Sequence, residues 1–388
     1  MARACQPAAL QSGRERGAGA LLQPAWPGST TIAPFGFARL RARGKGVRLL
    51  LAPMEGLLDD VLRAVITPDG GYDHAVTEFV RVSGTLLPAR SFRRTAPELD
   101  HGSRTVGGTP LRVQLLGSDP ACMADNATQL AGLSPAGVDL NFGCPAPTVN
   151  RHGGGAALLD EPERMHRIVA AVRAALPAAL PLSAKMRLGT EDAGRAVEAA
   201  QALASGGIDL LVVHARTRAD VYRPPARWEW VGRIAAEVSV PVIANGEVWT
   251  ASDWLACRAR AGVADVMLGR GAVADPFLAH RIRAGLLQQP DAGLRAAEWR
   301  VLQRMLAEFR RRALHKLPPR HVPGRIKQWL NLLRRNFVQA EQLHAAIRGL
   351  RELRDIDRVF ATSGIALSTA TDPQVDATVL PVVLSCAA

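Results

Sequence analysis

Eight short apolar runs recur along the chain, and alanine-rich stretches separate most of them. They read as strands at Arg48–Met54, His74–Val80, Leu111–Gly117, Val138–Gly143, Leu182–Leu188, Leu210–Arg216, Val242–Val248 and Val266–Gly271. Glu161–Leu176, Asp192–Ser205 and Ser252–Ala261 have helical character between them. Runs that are apolar on both faces suit a parallel sheet covered by helices. Eight such units in about 230 residues predict an α/β fold, a (β/α)8 TIM barrel. A doubly wound open sheet is the competing arrangement. Its first turn would carry a glycine fingerprint for a dinucleotide, and Ala52-Pro53-Met54-Glu55-Gly56 is not one.

Polar residues fall at the ends of these strands, where such barrels carry their chemistry. The ends hold Pro53, Met54 and Glu55; Glu78; Gln114; Asn141 with Cys144; Lys185 with Arg187; His214 with Arg216; Asn245, Gly246 and Glu247; and Gly269, Arg270 and Gly271. Each alone has a structural explanation: an amide closes a loop, a lysine stem lies along an apolar wall, a histidine is a hydrogen-bonded core residue. Their occurrence at successive strand ends points to a site. Cys144 precedes Pro145, which biases the cysteine towards an extended conformation and so sets the thiol's direction. A lone cysteine is more often a small buried hydrophobe; its company marks this one.

Glycine-rich turns after the seventh and eighth strands suit a phosphate, with Arg270 and His214 adding charge or hydrogen bonds. Lys185 lies across the mouth, where a cation stabilises negative charge on a reduced isoalloxazine ring. Gln114 and Met54 can bracket that ring. The combination describes a flavin mononucleotide site well, and a sugar-phosphate site less securely.

Charge is unevenly spread. Residues 295–358 hold 16 Lys/Arg against six acids, whereas residues 49–294 hold 24 against 26. Glu298–Leu314, Arg325–Asn336 and Ala340–Asp355 read as three helices carrying that excess. A one-sided basic module points to a polyanion, nucleic acid first and anionic membrane second. No apolar run reaches the length of a membrane span. The five cysteines (Cys5, Cys122, Cys144, Cys257 and Cys386) are scattered, with neither a disulfide framework nor metal-ligand spacing, which suits a reducing cytoplasm. The expected organisation is a disordered leader over 1–46, a catalytic barrel over 47–294, a basic helical domain over 295–360 and a disordered tail over 361–388. A monomer is the expected state.

The ordered series Ala52-Pro53-Met54-Glu55-Gly56, Thr77-Glu78-Phe79-Val80-Arg81, Val113-Gln114-Leu115-Leu116-Gly117, Asp139-Leu140-Asn141-Phe142-Gly143-Cys144-Pro145, Lys185-Met186-Arg187-Leu188-Gly189, His214-Ala215-Arg216-Thr217, Asn245-Gly246-Glu247 and Gly269-Arg270-Gly271 resembles the motifs of the tRNA-dihydrouridine synthases. Phe79-Val80-Arg81 and Arg325-Ile326-Lys327-Gln328-Trp329-Leu330 resemble the bacterial C subfamily, which reduces uridine 16 of the tRNA D-loop. The resemblance implies that Cys144 protonates C5 of the uracil while reduced FMN gives a hydride to C6, with NADPH as reductant. It implies FMN contacts from Pro53, Met54, Glu55, Gln114, Lys185, His214, Asn245, Gly246, Glu247, Gly269 and Arg270. It implies tRNA contacts from Arg81, Asn141, Tyr222, Arg325, Lys327 and Arg348. No metal is implied. Phe142 and Ala215 depart from the family pattern, at positions where a small or thiol residue and a glycine are common.

Two other classes compete. An FMN barrel oxidoreductase acting on a small pyrimidine needs no basic appendage. A non-catalytic RNA-binding barrel leaves Cys144, Lys185 and the two phosphate turns together without a purpose.

Overall fold

A computed structural model describes residues 46–68 and 71–367. Strands β1 (Leu49–Leu51), β2 (His74–Arg81), β3 (Leu111–Leu116), β4 (Val138–Phe142), β5 (Leu182–Arg187), β6 (Leu210–His214), β7 (Val242–Asn245) and β8 (Val266–Leu268) form a closed parallel barrel in sequence order. Around it run α1 (Asp60–Ile66), α2 (Ala89–Thr95), α3 (Pro120–Ala131), α4 (Pro147–Asn150), α5 (Pro162–Ala175), α6 (Ala196–Ser205), α7 (Glu229–Glu237) and α8 (Ala251–Ala261). Short α9 (Arg270–Ala274) and α10 (Leu278–Ala284) follow β8, and then α11 (Ala292–Lys316), α12 (Val322–Leu333), α13 (Val338–Ile347) and α14 (Leu353–Thr362). The expected (β/α)8 barrel followed by helices is what forms.

The register of the parallel ladder sorts side chains by period two. Leu49 and Leu51 join the large core between strands and helices, whereas Leu50 joins Ala52, Val76, Leu210, Val212, Ile243 and Met267 inside the barrel. That inner cluster comes from β1, β2, β6, β7 and β8 and the residue after β1. On the opposite side, β3, β4 and β5 bring Gln114, Asp139 and Ser183 into one buried hydrogen-bonded set. The barrel is therefore apolar on one inner wall and polar on the other.

Several expected boundaries shift. Strands one, seven and eight end earlier than expected, because Met54 and Val248 have left the ladder for loops that line the mouth and Gly271 belongs to α9. The helix expected from Glu298 starts at Ala292, since the Asp291 side chain caps it by accepting from Leu294 N at 2.8 Å. The single helix expected over Ala340–Asp355 is two, α13 and α14. The chain turns at Gly349, where Leu350 N donates to Ile347 O. Helical structure reaches Thr362, and Ile365 is packed into the core, so the expected tail begins later than 361. The expected leader, apart from residue 46, and residues 368–388 lie outside the described residues. Phe142 and Ala215 both pack into the large core, so neither departure intrudes on the mouth.

The C-terminal helices dock on one side of the barrel. Trp329 is fully buried, donates its indole N–H to Val273 O at 3.1 Å and packs edge-on to Phe309 at 5.0 Å between ring centroids. Asn336 Nδ2 donates to Ala274 O at 3.0 Å, and Lys316 pairs with Asp60. Trp329→Ala removes a large core side chain and an orienting donor. It is expected to destabilise the protein by about 3–5 kcal/mol, read as a lowered midpoint in thermal or urea unfolding.

Candidate active site

A cavity of about 640 Å³ opens at the C-terminal ends of the strands. Pro53, Met54, Glu55, Gln114, Asn141, Cys144, Lys185, His214, Tyr222, Asn245, Gly246, Glu247, Gly269 and Arg270 all line it. With Glu78 and Phe79 of β2, residues from all eight strand ends and the loop after β6 thus reach one space. They converge because a parallel barrel points every strand's C-terminus the same way.

Cys144 stands two residues beyond β4. Asn141 Oδ1 accepts from the backbone N–H groups of Gly143 and Cys144, each at 2.9 Å. Cys144 O accepts from Ala156 N and from Asn150 Nδ2, both at 3.0 Å. Gly155, at φ +62°, lies so near that a Cβ there would meet Cys144 O at 2.9 Å. Arg187 fixes the other side: Nε donates to Gly143 O at 2.9 Å, and Nη1 donates to Thr217 O and Val221 O, each at 2.8 Å. The thiol is buried, and that burial pushes its pKa above the ordinary thiol value, against the opposing pull of Arg187 and Lys185. It is held protonated at neutral pH.

Lys185 projects from β5 into the same cavity. Burial, with Arg187 nearby, pushes its pKa down to about 7. It exchanges a proton readily and becomes fully charged when an anion lies against it. His214 is depressed well below its usual range, first by burial and then by Lys185, Arg187, Arg216 and Arg270. It is a neutral ring that offers hydrogen bonds, and Arg270 is the charged member of the pair.

The turns after β7 and β8 are shaped by close approach. Gly246 has φ +111°, and a Cβ there would meet His214 Cδ2 at 2.8 Å. A Cβ on Gly271 would meet Val248 O at 2.1 Å. Asn245 Nδ2 donates to Met267 O at 2.8 Å, tying β7 to β8. Glu247 pairs with Arg216 and accepts from the Trp249 indole at 3.1 Å. Arg270 lies 4.7 Å from the Tyr222 ring centroid and 5.0 Å from that of Trp249, and Arg335 covers Trp249 at 4.2 Å. A bare backbone turn beside Arg270, Arg216 and a neutral imidazole fits a phosphate. The amide of Gln114 and the lysine at the centre fit the polar edge of a flavin ring, so the residues present suit flavin mononucleotide. No group of three or more potential metal ligands occurs among the described residues, and no helix there is long and apolar enough to cross a membrane.

Residues 50–359 match the family described as Dihydrouridine synthase. The chain belongs to the dihydrouridine synthase family. It is 57% identical over 313 residues to the tRNA-dihydrouridine(16) synthase of Cupriavidus necator, covering 81% of this chain and 96% of that one. It is 52% identical to the relative of the same name in Aquipseudomonas alcaligenes, over 82% of this chain and all of the other. The identity to that of Neisseria meningitidis serogroup B is 43%, over 81% and 94%.

Within this family member, the six residues read from sequence as tRNA contacts occupy different settings. Tyr222 is 49% exposed at the cavity rim, under Arg270 and 5.4 Å from the Arg187 guanidinium. Arg81 is exposed, donates to Thr148 O at 3.2 Å and lines a second, smaller cavity beside the first. Arg348 is exposed, and Lys327 donates to Leu350 O; both act on His344, which marks a shared cationic face. Asn141 is engaged with Gln114 and the Cys144 loop. Arg325 departs furthest from expectation. It donates to Gly56 O at 2.7 Å and Leu57 O at 3.0 Å and pairs with Asp59 at 2.9 Å, so its guanidinium joins α12 to the β1–α1 loop.

The sequence reading left Asp139, Trp249 and Arg335 out. Asp139 had a signal: a charge inside an apolar strand, two residues from Asn141 and therefore on the same face. Trp249 and Arg335 had none, since they meet only through the fold. Alkylation of Cys144 by iodoacetamide is expected to stay slow at neutral pH and to climb only above about pH 8.5, as for a protonated, buried thiol. A reaction already at its plateau near neutrality in peptide mass spectrometry would mean a thiolate instead.

Proposed function

We propose that this protein reduces the C5–C6 double bond of a uridine in the D-loop of tRNA, at position 16, to dihydrouridine. The observation that carries the reading is a buried thiol, Cys144, lining the same cavity as the glycine turns beside Arg270. Pro53, Met54, Glu55, Gln114, Lys185, His214, Asn245, Gly246, Glu247, Gly269 and Arg270 would hold flavin mononucleotide there. When bound and reduced by NADPH, that cofactor supplies a hydride to C6 of the uracil.

The chain's own groups do the rest. Cys144 delivers its proton to C5, so hydride and proton together saturate the bond. The thiolate left behind lies near Lys185 and Arg187, whose charges favour it, and it regains a proton from solvent. Burial keeps the proton on sulfur until the base arrives. Lys185 balances negative charge at the centre of the site. Asn141 and Arg187 hold the Cys144 loop from opposite sides, so the thiol meets the base at a fixed place.

The target base is stacked within a folded tRNA and must be extruded to enter the cavity. Phosphate contacts then position the RNA, and the cavity reads the base. In the C-terminal helices, Glu298, Glu308, Glu341, Asp355 and Asp357 are all paired with arginines. Arg320, Arg348 and Arg351 are exposed on the same unit. Arg81, Tyr222, Lys327 and Arg348 are proposed to face the RNA, with Arg325 setting the angle between the helical unit and the barrel mouth. The protein is proposed to act as a monomer in the cytoplasm.

The test is the visible spectrum of the purified protein. A flavin spectrum bleached by NADPH and restored by unmodified tRNA is the expected result. A flavin that tRNA does not reoxidise would favour a small pyrimidine as substrate, and a protein that cannot be loaded with FMN would remove the redox reading. Cys144→Ala should lower turnover at least about 100-fold while leaving flavin and tRNA binding near wild type. Affinity for tRNA should fall steeply between low and moderate salt; a flat titration would argue against the basic helices as the RNA face.

A further inference from the structure

The polar wall of the barrel contains a buried carboxylate that touches neither the cavity nor the thiol. Asp139 is 1% exposed and accepts from Ser183 Oγ at 2.5 Å and from Gln114 Nε2 at 2.6 Å. Gln114 Oε1 accepts from Asn141 Nδ2 at 2.7 Å. Asn141 Oδ1 accepts from the backbone N–H groups of Gly143 and Cys144 at 2.9 Å. Every link runs in the same direction, from the Cys144 loop down to Asp139.

That direction has to be chosen. The two ends of a primary amide have nearly the same shape, so packing alone does not distinguish its two orientations. Backbone N–H groups are donors only, which turns the Asn141 oxygen towards them. Both Asp139 oxygens accept, one from Ser183 Oγ and the other from the Gln114 NH2, which turns that NH2 towards the carboxyl group. The two demands agree when Asn141 Nδ2 donates to Gln114 Oε1, and that is the bond present. Burial pushes the Asp139 carboxyl up, opposed by the hydrogen bonds from Gln114 and Ser183 and by Arg112 and Lys185.

We propose that Asp139 is a positioning residue for the reaction: it fixes the direction of the Gln114–Asn141 amide relay and thereby holds the loop that carries Cys144. Without an acceptor at 139, the Gln114 NH2 is buried unpaired and its desolvation is uncompensated. The overturned amide then competes. Overturned, Gln114 presents NH2 to NH2 at Asn141, and Asn141 can no longer serve both its neighbours. The proposal rests on the reading of Cys144 as proton donor.

Asp139→Leu removes both acceptor oxygens and keeps the branched shape with bulkier methyl groups. Asp139→Asn keeps one oxygen, which can face Gln114 while its NH2 faces Ser183 Oγ. For each flavin-loaded variant, kcat and KM for unmodified tRNA are measured together with Tm. The rate of Cys144 alkylation by iodoacetamide is measured separately, without tRNA, by peptide mass spectrometry. In Asp139→Leu, kcat is expected to fall on the order of 10- to 100-fold with KM little changed, and Cys144 to alkylate faster. Asp139→Asn should recover most of both.

A lowered Tm with wild-type kcat per folded molecule and wild-type alkylation would mean packing alone and would overturn the proposal. So would an Asp139→Asn variant as impaired as Asp139→Leu. If Asp139→Leu does not fold, Ser183→Ala replaces it, because it removes only the hydroxyl that anchors the other carboxylate oxygen. A smaller loss of kcat with faster alkylation is then expected, and unchanged alkylation overturns the relay. A wild-type protein inactive on tRNA would refute the proposed function, while the alkylation comparison would still judge the relay by itself.

Discussion

The parallel ladder closes between β1 and β8, and the geometry of the mouth depends on that closure. Leu49, Leu50 and Leu51 pair with Val266, Met267 and Leu268. At the foot of the joint Asp265 accepts from Arg48 N at 2.8 Å and from Arg48 Nε at 2.6 Å. Closure leaves no unpaired strand edge and gives every strand an inner face. Residues up to 219 positions apart in the chain are brought onto one rim because the strands share a direction. Met54 and Gly269 face each other across this closure, with only 3.8 Å between the Met54 sulfur and the place a Cβ on Gly269 would take.

An inner wall that is half apolar and half polar is costly unless every polar group has a partner. Around Gln114 and Asp139 the chain meets that condition with a directional network, whereas the buried Nε2 of His74 and Nη1 of Arg112 have no hydrogen-bond partner. Thr77 accepts from Gln114 N at 3.0 Å, and the Asp139 carboxylate lies beneath the Gln114 side chain. The same wall supplies Lys185 and Arg187. The polar interior therefore serves stability and the site at once, and its satisfied hydrogen bonds hold the cysteine loop as firmly as the apolar packing holds the helices.

The helical unit joins the barrel at its rim. Arg325 and Gln328 both donate to Gly56 O, and Arg281 bridges Asp275 and Glu298 behind them. Burial pushes Glu298 up to about 7, although Arg281 and Arg295 oppose it. Arg335, from the end of α12, reaches Trp249 next to Arg270. The joint thus fixes how a basic surface stands relative to the cavity.

Much of this was legible in the residues. The barrel followed from eight apolar runs, and the strand-end residues followed from where barrels place their chemistry. Cys144, Gln114, Lys185 and the two glycine turns were found because strand periodicity and direction are local properties. The break between α13 and α14 was missed because the apolar period continues across Gly349, and the early start of α11 because one capping aspartate outweighs weak periodicity. The resemblance implied a tRNA contact for Arg325, whose donors join α12 to the loop after β1. The neutrality of His214 could not be read, since it comes from burial and from cations of β5, of α9 and of the loop after its own strand. The sequence by itself determined the order of elements, the polar residues at the strand ends and the excess of positive charge after the barrel. Only the tertiary structure decided which arginines are free, which amides are locked and in which direction, because hydrogen-bond polarity and desolvation depend on neighbours that the chain brings together from far apart.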